Sequence, residues 1–465
     1  MQTAASRPPE LFSPAIARPV VYGLAGGILA AGIAIALGGP QHLWLFFAAV
    51  ALVVLVLVSL AFPVLACAAW LLAVGLTPDM WLGEMLGAGA AGAIVGGLKL
   101  AGFFLAAVCV LRYGPAWDGF NPGFAFVAMF GWGLMHGLHA TLDAGESLRS
   151  LLGSVAPFAF CFARLPRNWA RSVIRAVVWL PLLSVLLGAG LALAGMRPVI
   201  VEEAGFRLQG AGHPAFLGAF AMVACYAALT EFLRTGRWRD AALLAMNFAI
   251  LLLSGARVPL AITAMVIALS LVFVPSPHLP MLRRVPLLLG GAVAVVVVAV
   301  VALSSGMLGG LRIFNLMTTD VGNLSGSDEF WPLFQAAWDA SPWLGWGVGA
   351  GKTLVALDSP LARLLGTNAA HNEYLRIGVE GGYLGLGLLA LLFVLWGFAH
   401  LRVLRGSDRV LLLLVLIGFA VHSYTDNTLI ATTSSVLFAW ITAVFARGVC
   451  EAEARVSSLH ETVPS

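Results

Sequence analysis

Charge is what this sequence has least of. Asp, Glu, Lys and Arg make up 10% of its 465 residues, against about 25% in an average soluble domain. So little polar surface cannot cover a water-soluble globule, which excludes a cytosolic enzyme, a DNA-binding module and a disordered scaffold. Lysine occurs only as Lys99 and Lys352, and no polybasic run offers a surface to nucleic acid. Cysteine is sparse as well. Cys67, Cys109, Cys161 and Cys225 fall in apolar runs and Cys450 in the tail, so no pair is available to staple an exposed loop. There is no Cys-x-x-Cys and no Cys/His cluster, hence no expected zinc site. No repeat of 20–50 residues is visible, which weighs against a solenoid or a simple repeat transporter.

What the chain does have is long apolar runs: 60% of residues are hydrophobic and the mean hydropathy is +0.96. A helix needs roughly 20 apolar residues to cross a bilayer. Up to fourteen runs qualify, among them 20–37, 43–59 and 148–163. The pairs 43–59/60–76 and 410–425/427–446 have almost no linker, so the expectation is 12–14 transmembrane helices in an all-α polytopic membrane protein. The first run follows only Arg7 and Arg18 without a small-residue cleavage site, and reads as a retained span. Short loops carrying Arg164, Arg167, Arg171 and Arg175, then Arg234, Arg237 and Arg239, then Arg402, Arg405 and Arg409, all fall inside when both termini are cytoplasmic.

One outer loop is long, about 75 residues, and loops of that length are functional or disordered. Here Phe330, Phe334 and Trp338 recur at helical spacing, with Trp331, Trp343 and Trp346 beside them, so a small helical subdomain is expected. The resulting division is a cytoplasmic N-terminus at 1–19, a transmembrane bundle at 20–305 and the loop subdomain at 306–381. The last three spans occupy 382–446 and a cytoplasmic tail 447–465.

The loop ends in the densest group of ionisable residues near any span: His371, Asn372, Glu373, Tyr374, Arg376 and Glu380, followed by Gly381, Gly382 and Gly385. Charges so close to a span are costly unless they face protein or water. Read as one helix, His371, Tyr374 and Gly378 share a face. A neutral imidazole can take a proton from an attacking alcohol; an interfacial histidine capping a helix, with glycines for packing, fits the same pattern. Arg257 opens a span at the outer boundary, the depth of a lipid diphosphate, where guanidinium binds phosphate bidentately or simply snorkels to headgroups. Asp426, with His422 one turn earlier, sits between the last two spans, as a catalytic partner or as a helix N-cap.

These residues resemble the bacterial O-antigen ligase and O-antigen polymerase superfamily, polytopic transferases of undecaprenyl-diphosphate-linked glycans. His371-Asn372, nine residues, then Gly382 and Gly385 is similar to its signature at the end of a large periplasmic loop. Arg207-Leu208-Gln209-Gly210 resembles its Arg-Leu-x-Gly segment, Ser254-Gly255-Ala256-Arg257 its Ser-x-x-Arg turn, and residues 342–349 its Pro-x-x-Gly-x-Gly stretch. The resemblance covers about residues 205–430. It departs from the family's Gly-Arg near the start of the loop helix, where Ser327 stands in place of the arginine.

The resemblance implies a membrane glycosyltransferase in the bacterial inner membrane, with its active site at the periplasmic face. His371 would be the general base, with Asn372 and Asp426 positioning it or the acceptor. Arg257, Arg207 and Arg312 would hold the diphosphate, and Gly382 and Gly385 are the motif glycines. Inversion in a single displacement is expected, with no metal and no cofactor. The donor would be an undecaprenyl-diphosphate glycan; the acceptor, lipid A core for a ligase of lipopolysaccharide biosynthesis, or a second lipid-linked glycan for an O-antigen or exopolysaccharide polymerase. A lipid-linked oligosaccharide transporter or flippase is the competing class, but polar groups here gather at one face rather than along a central cavity. Other features carry less. Residues 346–353 end like a Walker A motif but begin with Trp346 instead of glycine. His136, His139, Asp143 and Glu146 could share a helical face and bind a metal, or mark a solvated span end. Lys99 within a span either snorkels or lines a cavity, and Glu202 and Glu203 read as surface charges.

Overall fold

The computed structural model describes residues 55–202, 205–305, 327–356, 358–365, 367–404, 406–429 and 431–461, with isolated positions before residue 55. In chain order the first helices are α1 (Pro63–Gly75), α2 (Pro78–Leu86), α3 (Ala88–Tyr113), α4 (Gly123–His136), α5 (Ala144–Val155) and α6 (Arg167–Leu193). A hairpin of β1 (Ile200–Glu202) and β2 (Phe206–Leu208) follows, then α7 (Pro214–Thr235), α8 (Trp238–Ser254), α9 (Arg257–Phe273) and α10 (Met281–Ser305). The loop helix α11 (Ser327–Ala340) precedes α12 (Glu373–Leu401), α13 (Ser407–His422) and α14 (Thr432–Glu461).

The all-α polytopic expectation holds. Among the described residues α3, α6, α7, α12 and α14 are long and apolar enough to cross a membrane, and α1 with α2, bent by 61°, make a sixth if they form one span. The expected runs 20–37 and 43–59 lie largely outside the described residues. One expected span is corrected: 148–163 is α5 followed by a 3-10 helix, Ala156–Phe162. Asp143 caps α5, Ser147, Ser150 and Ser154 fill its buried side, and Pro157 removes an amide donor just past its end.

α7 is the centre of the bundle. His213 Nδ1 accepts from the Ala215 amide to cap it, and Pro214 occupies its first turn. Gly218, Ala221, Ala224 and Ala228 are small enough for α6, α8, α9 and α14 to pack around it. Outward positions carry bare apolar side chains, Leu193 91% and Leu282 88% exposed, a surface that lipid rather than water would solvate. At one end Arg234 bridges Asp408 (2.6 Å) and Glu451 (2.5 Å), while Arg447 holds Asp408 (3.0 Å) and Glu231, tying α7, α13 and α14 together.

At the other end the expected loop helix is present. Phe330, Phe334 and Trp338 turn inward from α11, and Trp338 lies against Gly378 of α12. α12 breaks at Gly382 (φ 60°, ψ −162°). A broken helix strands carbonyls before the break and amides after it. The 342–347 segment takes them up: Trp346 N–H donates to Val379 O (2.8 Å) and Gly347 N–H to Glu380 O (3.0 Å). In return Tyr383 N–H donates to Pro342 O (2.7 Å) and Leu384 N–H to Trp343 O (3.1 Å). A Cβ at Gly382 would stand 2.4 Å from the Trp343 carbonyl carbon, and one at Gly385 would strike Met129 Sδ at 2.7 Å. Both motif glycines therefore serve backbone and helix packing.

Gly382→Ala should cost roughly 1–3 kcal/mol, whereas Gly387→Ala, a helical position with open space around it, should be neutral or gain up to about 1 kcal/mol. Thermal unfolding in detergent checks the contrast.

Candidate active site

His371 stands just outside α12, at φ 47°. A non-glycine residue in this left-handed region is uncommon and marks a backbone held by its surroundings. The holding is visible on both sides. Asn372 caps α12, its Oδ1 accepting from Leu375 N–H (3.2 Å), and Glu373 N–H donates to the Ser423 carbonyl (2.8 Å). The shared helical face read for His371, Tyr374 and Gly378 is thus corrected, because the histidine precedes the cap.

The second contact brings the 423–426 loop against His371. His371 Nδ1 lies 3.4 Å from Asp426 Oδ1, and His371 Nε2 lies 3.3 Å from Thr367 Oγ1. His422 Nε2 is 3.8 Å from Asp426 Oδ2, and the Asn427 amide donates to Asp426 Oδ1 (2.8 Å). A carboxylate only accepts, so a neutral His371 donates from Nδ1 and keeps a basic lone pair on Nε2, facing the Thr367 hydroxyl. Burial would push the Asp426 carboxyl up; the His371 hydrogen bond, the charges of His422 and His371 and the Asn427 amide outweigh it. The group is held below the ordinary carboxylate range. His371 and Asp426 are half-exposed, so the pair is reachable from outside the bundle.

The arginines gather at the same end. Gly418 of α13 packs on Ile262 and Val266 of α9. With about 1.5 Å of rise per residue, Arg257 at the start of α9 lies roughly 8 Å beyond Ile262, and His422 at the end of α13 roughly 6 Å beyond Gly418, toward the same end. Arg257 is exposed. Arg207 is buried in β2, paired opposite Val201, and its Nε–H donates to the Ser254 carbonyl (3.0 Å). It braces the turn that delivers Arg257. Arg312 lies outside the described residues, and Ser327 opens α11. Gly382 and Gly385 are in the packing of α12 and not beside His371.

Sequence reasoning missed two features. One is Thr367. The other is a buried ion triad one turn below His371: Arg376 Nε–H donates to Glu373 Oε1 (3.1 Å), Arg376 Nη1 to Glu380 Oε2 (2.7 Å), and Arg376 Nη2 also meets Glu373. All three are 3% exposed or less. Their i, i+3 and i, i+4 spacing was the available signal.

Elsewhere, α4 ends at His136, Asp143 caps α5, and Glu146 pairs with Lys352 (2.5 Å), so the suspected histidine face is not one face. Among the described residues no three His, Cys, Asp or Glu side chains gather as a metal site. Lys99 lies in α3 with Nζ against Gly153 of α5, within reach of the charges on Lys352, Arg149 and Glu146.

Residues 241–390 match the family model described as O-antigen ligase. That match covers about a third of the chain and supports the resemblance to the O-antigen ligase and polymerase superfamily. The matched stretch contains Arg257, the 342–349 segment, His371, Asn372 and both motif glycines; Arg207 and Asp426 lie beyond its ends. No curated protein matches the chain in sequence. The match supports a membrane enzyme of the ligase or polymerase glycosyltransferase type, a class that works on lipid-linked glycans.

Two outcomes follow. Arg376→Met leaves two buried carboxylates facing each other and should cost about 3–5 kcal/mol, seen as loss of monodisperse protein in size exclusion. Adding Glu373→Gln and Glu380→Gln should recover most of it. For Asp426, a lowered folded pKa means stability that is complete above its unfolded value, about 3.9, and lost as pH falls through the folded value. The melting-temperature gap between wild type and Asp426→Asn should therefore be full at pH 7 and close below about pH 4.

Proposed function

We propose that this protein transfers a glycan from undecaprenyl diphosphate to a sugar hydroxyl of an acceptor, at the periplasmic face of the bacterial inner membrane. The observation that carries the reading is the His371–Asp426 bond. It fixes the tautomer that leaves Nε2 basic, on a half-exposed ring, at the end of the bundle where Arg257 emerges.

The steps follow from that arrangement. The acceptor hydroxyl takes the place of Thr367 at His371 Nε2 and gives up its proton there as its oxygen attacks the anomeric carbon. The bond from that carbon to the diphosphate oxygen breaks, and its electron pair leaves on the diphosphate. Arg257 carries the developing charge, and Arg207 positions it. Asp426 stabilises the imidazolium that forms, with His422 behind it. One displacement inverts the anomeric centre. Asn372 acts through the helix cap that presents His371.

The acceptor is lipid A core in the ligase form of this reading and a second lipid-linked glycan in the polymerase form. Complementation of a strain lacking this gene separates them. His371→Ala, present in the membrane at normal level, should abolish the surface glycan, a loss of at least about 10²-fold in transfer. Long lipid-linked chains left unattached mean a ligase; single unpolymerised repeats mean a polymerase. Normal glycan with the variant would contradict the assignment and favour a transporter.

A further inference from the structure

Two aromatic side chains from distant parts of the chain meet beside His371. Trp331, in the second turn of α11, donates its indole N–H to the carbonyl of Ala370, the residue before the histidine (2.9 Å). Tyr424 lies in the loop after α13, two residues before Asp426. The rings contact edge to face, centroids 5.6 Å apart and planes at 77°. The fold does not need them as core. Phe330 and Phe334 of the same helix are fully buried, whereas Trp331 points to another side and is only part-buried, and Tyr424 is 54% exposed. Apolar surface left in contact with water is unfavourable. Here it is also held stiffly, by the Ala370 bond on one side and, on the other, by Glu373 N–H, which grips Ser423 next to Tyr424.

A hexopyranose presents C–H bonds on a ring face and hydroxyls around its rim, and aromatic rings attract C–H groups through dispersion and their negative faces. Tyr424 follows directly on the α13 end that packs beside α9, so it stands at the end of the bundle where Arg257 opens α9, and through Trp331 it adjoins the residue before His371. In the reaction proposed above, a lipid diphosphate held by Arg257 must bring its first sugar to His371, beside these two rings. We infer that Trp331 and Tyr424 form the wall on which this first hexopyranose of the lipid-linked donor rests, so that the sugar ring itself, and not only the diphosphate, is bound. The inference depends on the donor reading above.

The molecule supplies its own control. Trp343 and Tyr383 are a second exposed aromatic pair (centroids 5.8 Å), but Tyr383 lies roughly 18 Å along α12 from His371. They suit the interfacial anchoring role of membrane aromatics.

The test measures binding to purified protein without acceptor, using bare C55 polyprenyl diphosphate and the same lipid carrying one N-acetylglucosamine. Wild type should bind the sugar-bearing lipid about tenfold tighter than the bare one. Trp331→Leu and Tyr424→Leu should bring the ratio to about one and leave the bare lipid's Kd unchanged, while Trp331→Phe and Tyr424→Phe keep most of it. Trp343→Leu with Tyr383→Leu should leave the ratio intact. An unchanged ratio in the Leu variants, or equal weakening of both lipids, overturns the wall. Wild type binding both lipids equally overturns the wall alone; binding neither overturns the donor reading with it.

Discussion

The exchange of backbone hydrogen bonds across the Gly382 break is the interaction on which the rest of this structure depends. An unbroken helix would satisfy its own amides and carbonyls and have nothing to offer the loop. By breaking, α12 binds the 342–347 segment through four main-chain bonds. α11 is connected to that segment and packs on the same helix through Phe334 and Trp338. The loop subdomain is thereby fixed to the bundle at the helix whose N-cap, Asn372, follows His371 of the candidate site.

Strain and charge then concentrate where that helix starts. Left-handed His371 is held between the Asn372 cap and the 423–426 loop, while beneath it Arg376 neutralises one of the two buried carboxylates it contacts. Such a triad is weak evidence for stability, since well-packed apolar residues often do as well. What it adds here is a polar first turn under a histidine that the proposed reaction needs in one orientation. The five-residue ion network at the opposite end, around Asp408 and Arg447, anchors α13, whose other end supplies His422 and the loop holding Asp426.

Much of the fold was legible because apolar runs have few alternatives. The loop helix was legible from Phe330, Phe334 and Trp338 alone. The run at 148–163 misled because serines every three or four residues still leave a high apolar average, while Pro157 and the Asp143 cap decide the local structure. The site was legible mainly through resemblance: nothing in the spacing joins His371 to Asp426, 55 positions away. The resemblance presents Arg207 as a phosphate ligand, whereas its bond to the Ser254 carbonyl depends on the β1–β2 pairing, which no spacing reveals. Glu373, Arg376 and Glu380 stand out in sequence as charges near a span, but their pairing with one another was not read, and their burial depends on segments distant in sequence, with Gly351 and Phe126 against the Arg376 side chain.

An experimental structure with a polyprenyl-diphosphate glycan bound tests the central claim most directly. The account predicts the diphosphate oxygens within hydrogen-bond distance of the Arg257 guanidinium and the anomeric carbon within one hydroxyl's reach of His371 Nε2. A lipid-linked glycan lodged elsewhere, with His371 and Arg257 facing solvent on either side of an empty cleft, would contradict it.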